Sequence, residues 1–370
     1  MLGAQLEPGD WDNEGEVAYV NLPDGRTALL ISFTDWAEQA AQIYIVNPDG
    51  TPSAGPFDVQ RFTTTDQRLH ALDLAWDGAA LGAFYTRRPR LSQEGAAWFA
   101  RIDLTGTVVS APVRVDDDRP AGTVREPGTW RGVNGGARLI YDPTDGYTAL
   151  SFDSRDFGGT VYYGVYSRHL GQTGATPDAS RLLLNPEIIE ERPRTHRLST
   201  GDIDFFVPVS TTSTVVLRLN ARGAPRATSL TLPHDINREH MPRGVLEGSA
   251  GPELLFGPTG TFYPGSVPRA YWFHGADYGV QSTDVGPELN EYSAVFDGPT
   301  GPLHTATECC GDFEVQRIEQ LGPGQWAPIE PPLVENPSNR NFFRVIPTGP
   351  LSAIYTNGHY IYPIQFSDCQ

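Results

Sequence analysis

Apolar and polar residues alternate along this chain in short runs, and the runs come in pairs joined by a glycine turn. Alternation with a period of two marks a strand with one face turned to a core. The first pair is Val17-Ala18-Tyr19-Val20 and Ala28-Leu29-Leu30-Ile31, joined at Pro23-Asp24-Gly25. The second is Leu72 to Trp76 and Leu81 to Tyr85, joined at Asp77-Gly78. The third runs from Ala137 through Asp145-Gly146 to Phe152. Four more follow, turning at Gly201, Gly251, Gly301 and Gly349. Asp-Gly or a Gly-Pro cluster between two such runs is a strong hairpin signal.

Each unit then continues into a second hairpin. Ile43 to Val46 leads to Asn47-Pro48-Asp49-Gly50, and Trp98 to Ile102 leads to Leu104-Thr105-Gly106. Val161 to Tyr166, Val215 to Leu219, Ala270 to Phe273 and Phe313 to Ile318 repeat the arrangement. The turn glycines at 25, 78, 146, 201, 251, 301 and 349 are spaced by 53, 68, 55, 50, 50 and 48 residues. Four strands per unit at that period predict an all-β fold, a β-propeller of seven blades, with six or eight as alternatives. The whole chain, 1–370, reads as one such domain. The seventh unit lacks a fourth strand, and the segment from about Leu2 to Trp11 could supply it by pairing the chain's two ends. That pairing would remove an exposed sheet edge. On these repeats the chain resembles bacterial exported β-propellers, without a signature that fixes a subtype. The Trp-Asp ending of WD40 repeats is absent, and Ser151-Phe152-Asp153 only partly matches the sialidase-type repeat.

Composition supports this picture and narrows the function. Gly at 39 and Pro at 32 of 370 residues make a turn-rich chain and argue against a helical one. No apolar run is long enough to span a membrane as a helix. The net charge is −18, which opposes nucleic-acid binding because phosphate contacts rely on clustered cations. All 27 basic residues are Arg, so no side-chain amine exists for Schiff-base chemistry. Met1-Leu2-Gly3-Ala4-Gln5 lacks the basic stretch and apolar core of a signal peptide, as would a mature exported chain or a cytosolic one. Two Met, no Lys and loops rich in Thr, Asn and Gly point to a periplasmic, cell-surface or secreted protein.

Strands that alternate direction place the turns after first and third strands on one face and the loops after second and fourth strands on the other. The first set is short. The second is long and chemically mixed, and long loops on a rigid scaffold are where function concentrates. The expected ligand face therefore carries Trp36, Trp130, Asp153, Asp156, Glu190, Arg192, Arg194, His196 and Tyr263. Aromatics there could stack on sugar rings or cap the blades. Glu187, Glu190 and Glu191 beside Arg192 and Arg194 could serve as glycosidase-type carboxylates, bind a carboxylate through the Arg, or form a solvated loop. Asp116-Asp117-Asp118 could contribute to a calcium site or be an acidic turn. His234, Asp235 and His240 offer imidazole and carboxylate for a first-row metal, in a spacing that matches no established motif. Cys309-Cys310 could form a vicinal disulfide, remain free thiols, or pair one member with Cys369. Some quinone-dependent propeller dehydrogenases carry a vicinal ring of that kind. The expected function is a non-enzymatic scaffold for a protein or carbohydrate ligand. The alternatives are a carbohydrate-active enzyme of hydrolase or lyase type and a metal- or quinone-linked redox protein.

Overall fold

The computed structural model describes residues 17–34, 39–63, 66–89, 95–118, 123–125, 129–130, 133–134, 138–156, 161–174, 177–185, 194–210, 213–226, 228–233, 240–258, 271–274, 278–283, 294–298, 301–307, 313–336, 344–349, 352–356 and 361–365. Sheet 1 contains β1 (Val17–Asn21), β2 (Thr27–Thr34), β3 (Gln39–Val46) and β4 (Pro52–Phe62). Sheet 2 contains β5 (Gln67–Trp76), β6 (Ala80–Pro89), β7 (Ala96–Asp103) and β8 (Val108–Arg114). Three short strands follow, β9 (Thr123–Arg125), β10 (Thr129–Trp130) and β11 (Val133–Asn134). Sheet 3 contains β12 (Arg138–Asp142), β13 (Gly146–Asp156), β14 (Val161–Gly171) and β15 (Arg181–Leu184), with β9 added against β13. Sheet 4 contains β16 (Arg194–Arg197), β17 (Ile203–Ser210), β18 (Ser213–Leu219) and β19 (Leu230–Pro233). Sheet 5 contains β20 (His240–Gly248), β21 (Gly251–Pro258), β22 (Tyr271–His274) and β23 (Val280–Thr283). Sheet 6 contains β24 (Ala294–Gly298), β25 (Gly301–Thr307), β26 (Phe313–Gly322) and β27 (Gln325–Asn336). Sheet 7 contains β28 (Arg344–Gly349), β29 (Ser352–Thr356) and β30 (Ile361–Gln365).

All pairs within these sheets are antiparallel, and all except β9 with β13 join consecutive strands, as the paired hairpins require. The described residues contain no helix. The seventh sheet has three strands, and the segment expected to complete it, Leu2 to Trp11, lies outside the described residues. First strands of successive sheets meet one another: β1 with β5, β5 with β12, β16 with β20, and β20 with β24. The first strands therefore gather on one side of the stack. The long spacing between the second and third turn glycines is explained by the insertion that carries β9, β10 and β11, which alternation did not reveal.

The core lies between sheets. Leu30, Ile43, Ala71, Leu81, Ala83 and Tyr85 pack together between sheets 1 and 2. Phe84, Phe99, Tyr147, Ala149 and Leu170 do the same between sheets 2 and 3. Leu150 and Phe152 meet Phe205, Val207 and Leu217 between sheets 3 and 4. Phe206 and Val216 meet Phe256, Phe273 and Tyr278 between sheets 4 and 5. Neighbouring residues such as Ala83 and Phe84, or Phe205 and Phe206, thus enter different cores. A strand buried on both faces needs a continuous apolar run, and this explains why second strands are so uniformly hydrophobic. The fourth strand β8 alternates less and is mostly exposed, leaving Val108 and Val109 about half accessible.

Candidate functional site

The two ends of the stack differ in how they use polar groups. At the short-hairpin end, buried carboxylates close onto the next sheet. Asp77, in the β5–β6 turn, accepts Arg101 Nε at 2.8 Å and the Tyr147 hydroxyl of sheet 3 at 2.9 Å. Backbone amides of Ala79 and Ala80 donate to its other oxygen at 2.8 and 2.6 Å. Burial pushes Asp77 up, but these amides, Arg101 and Tyr147 outweigh it and hold the carboxyl below its ordinary range. Tyr147 is held neutral by burial and by the carboxylate beside it.

Asp204 of β17 repeats the device. It accepts Arg218 at 2.8 and 3.0 Å and the Tyr278 hydroxyl of sheet 5 at 2.8 Å. Glu253 of β21 accepts Gln320, Trp326 Nε1 and the Gly324 amide of sheet 6 at 2.7, 2.7 and 3.0 Å. Asp204 and Glu253 are fully buried. A buried charge is tolerable only when paired in this way. These acids hold sheets together and have no open oxygen aimed at solvent.

The opposite end is the long-loop end, reached by the start of each first strand and the end of each second strand. In sheet 2 it is cationic. Arg68 is the second residue of β5, and its register partner is Arg88, next to the end of β6. His70 pairs with Thr86 and Leu69 with Arg87. Leu69, Ala71 and Tyr85 pack toward sheet 1, so the pleat turns Arg68, His70, Thr86 and Arg88 to the other side, toward sheet 3. Arg87 is committed elsewhere: its guanidinium lies 4.6 Å over the Phe62 ring, and its Nε donates to Gln67 at 3.2 Å.

Arg68 differs from its neighbours. It is half-buried and its Nε has no accessible surface. Among the described residues it has no hydrogen-bond or ion-pair partner. Arg88 and His70 hold further contacts of their own. The Nε2 of His70 is enclosed by protein, and burial, reinforced by Arg88 and Arg68, pushes the ring down to about 3, so it is neutral at pH 7. Leaving a buried donor unsatisfied costs about 1–3 kcal/mol, and more when it is charged. Two like charges directly opposite across strands add to that cost.

The residues expected from sequence distribute unevenly. Trp36, Glu190, Arg192, Tyr263, His234, Asp235, Cys309 and Cys310 lie outside the described residues. Asp153 and Asp156 fall on the long-loop end of β13, Arg194 begins β16, Trp130 ends β10 and His240 begins β20, each placed by its backbone alone. His196 lies one residue from the hairpin end of β16, with its Nε2 2.7 Å from Glu247 Oε1 of sheet 5. That position is away from the long-loop end.

Asp116, Asp117 and Asp118 follow β8 and are held by cations and hydroxyls. Arg114 Nε donates to Asp116 at 2.7 Å. Arg168 of sheet 3 donates to Asp117 and to the Val115 carbonyl, with Asp118 3.4 Å away. Ser180 donates to Asp118 through its amide and hydroxyl at 2.5 and 2.6 Å. Among the described residues no three His, Cys, Asp or Glu side chains converge as a metal would require. The sequence reading missed Arg68, His70 and Arg88. The run Arg87-Arg88-Pro89 was visible, but the pairing that sets Arg88 against Arg68 depends on a register shift between Ala71 and Asp73.

No protein-family profile matches this chain, and no curated protein matches it in sequence. Solved structures do match in fold. A PL25 ulvan lyase bound to –[GlcA(1-4)Rha3S]– superposes with a TM-score of 0.56 at 10% identity, covering 98% of this chain and 96% of that one. BamB from Moraxella catarrhalis gives a TM-score of 0.46 at 8% identity, covering 98% and 97%. The ulvan lyase is a β-propeller, and the chain shares that fold. At such identities the likeness is one of fold.

Proposed function

We propose that this chain is a single seven-bladed β-propeller, closed by its N-terminal segment, that binds a ligand at the long-loop end where first strands gather. The reading is a non-enzymatic binding scaffold, exported from the cell. One observation carries it. The short-hairpin end commits its buried charges to the next sheet, whereas Arg68 at the opposite end keeps a half-buried guanidinium without a partner among the described residues. The terminal nitrogens of such a guanidinium are suited to an acceptor that a ligand brings.

A second reading is a carbohydrate-active enzyme. It is favoured by Asp153 and Asp156, which the long-loop end of β13 presents in the neighbouring sheet. The ulvan lyase that shares this fold is bound to a uronate-containing glycan. One experiment separates the two readings. Purified protein is incubated with a panel of neutral and acidic polysaccharides, proteins and peptides, with bound ligand and released product both measured. Binding without new reducing or unsaturated ends supports the scaffold. Product release that Asp153→Asn or Asp156→Asn abolishes supports the enzyme. Neither binding nor release across a panel that includes proteins and peptides removes both.

A further inference from the structure

We infer that Arg68 is the anchor of a carboxylate-binding subsite at the long-loop end of sheet 2, and that its ligand carries a single carboxylate. The inference rests on the ligand-binding reading above and names the chemistry of that site.

Four observations carry it. Arg68 and Arg88 are register partners on neighbouring strands and lie on one side of the sheet, which folding alone would disfavour. Arg68 has no acceptor among the described residues, although its Nε is enclosed. Its planar fork of donors matches a carboxylate in bidentate geometry. On the same side of the sheet, Thr86 is buried and His70 adds a polar ring, so the surroundings add hydrogen-bonding capacity. Arg88 Nε is enclosed in the same way, but Arg88 makes a further contact, and Arg87 stacks on Phe62 and reaches Gln67.

The net charge decides between kinds of anion. A chain at −18 repels a polyanion along most of its surface. One carboxylate approaching the half-buried Arg68 meets the local cations before it meets that field, because charges beyond roughly 8 Å are screened at physiological salt. The fitting ligand is therefore a compact acid, either a sugar acid or the carboxylate end of a peptide.

The test is thermal unfolding of the full chain at constant ionic strength with four probes: glucuronate, N-acetylalanine, glucose and sulfate. A saturating ligand raises the unfolding midpoint through its preference for the folded state. The expected result is a rise with glucuronate or N-acetylalanine and none with glucose or sulfate. A response to glucuronate alone assigns a sugar acid, and a response to N-acetylalanine assigns a peptide end. Arg68→Gln should weaken that response at least tenfold in ligand concentration. Without ligand, its midpoint should equal or exceed that of the parent chain, since a repulsive and unsatisfied charge has gone. A structural arginine would instead lower the midpoint. Arg68→Lys retains the charge and loses the fork, and should also bind at least tenfold more weakly. A response that persists in Arg68→Gln, an equal response to sulfate, or no response to either acid overturns the inference. Ligand capture at the long-loop end that ignores Arg68 would leave the broader binding reading standing.

Discussion

At the scale of single residues, the molecule is held by buried carboxylates, one of which, Asp77, sequence inspection assigns to a turn. Asp77 closes the β5–β6 hairpin and also receives the Tyr147 hydroxyl from the next sheet. Tyr147→Phe removes one hydrogen bond to a charged group and should cost about 1.5–3 kcal/mol in urea unfolding. Because the Asp77 carboxyl is held below its ordinary range, its stabilisation is complete above the unfolded value near pH 4 and is lost as pH falls through the folded value. The difference in stability between the parent chain and Asp77→Asn should therefore shrink below about pH 4. His70 acts in another window. Its folded value is near 3, so the unfolded chain takes up a proton first. Acidification below about pH 6.5 then favours unfolding by roughly 1.4 kcal/mol per unit. His70→Gln should flatten this slope, losing up to about 2 kcal/mol less than the parent between pH 7 and 5. Equal slopes in the two proteins would mean that His70 is protonated in the folded state.

At the scale of elements, the third–fourth hairpins share one geometry, and one of them departs from it. Gly50, Gly106, Gly174 and Gly223 hold positive φ at the corner of these turns. A Cβ on Gly223 would stand 2.6 Å from the Ser167 Cβ of the preceding sheet, so Gly223→Ala combines backbone strain with a clash. It should destabilise by about 2 kcal/mol or more. In sheet 5 the only non-glycine residue with positive φ among those described, Tyr278, lies in the corresponding hairpin at φ 54°. Its ring packs edge-on to Phe206 at 5.4 Å and its hydroxyl reaches Asp204. Tyr278→Gly relieves about 1 kcal/mol of backbone strain but forfeits a buried aromatic worth about 3–5 kcal/mol, so net destabilisation is expected. A more stable Tyr278→Gly variant would show that the strain outweighs the packing. The hairpins themselves were legible in sequence, because Asp-Gly and Asn-x-x-Gly turns between alternating runs leave few alternatives. The strands β9 to β11 were not, since two or three residues carry no periodicity. Arg168 closing onto Asp117 and Asp118 was equally hidden, because some fifty residues of chain separate partners that only sheet stacking brings together.

At the scale of the whole molecule, stability turns on what covers the outer edge of β30. Six sheets are completed by a fourth strand, and that strand is the least buried of each well-described set. Sheet 7 ends at β30, so its backbone groups would face solvent unless another segment pairs with them. Such an edge recruits other chains, and a protein at −18 has only its charge repulsion to oppose that. In the proposed ring the first sheet would follow the last, and the N-terminal segment would be the remedy. Deleting residues 2–12 should therefore lower stability well beyond the roughly 0.5 kcal/mol expected for trimming a surface tail. It should also produce association that rises with protein concentration and with salt, as screening removes the repulsion. Both effects are measurable by urea unfolding and by light scattering on the same preparation. If the shortened chain keeps its stability and stays monomeric in high salt, the N-terminal segment does not complete the seventh sheet. If it is destabilised and associates, the two chain ends form one blade, and Arg68 lies on a closed ring whose rigidity holds its charge in place.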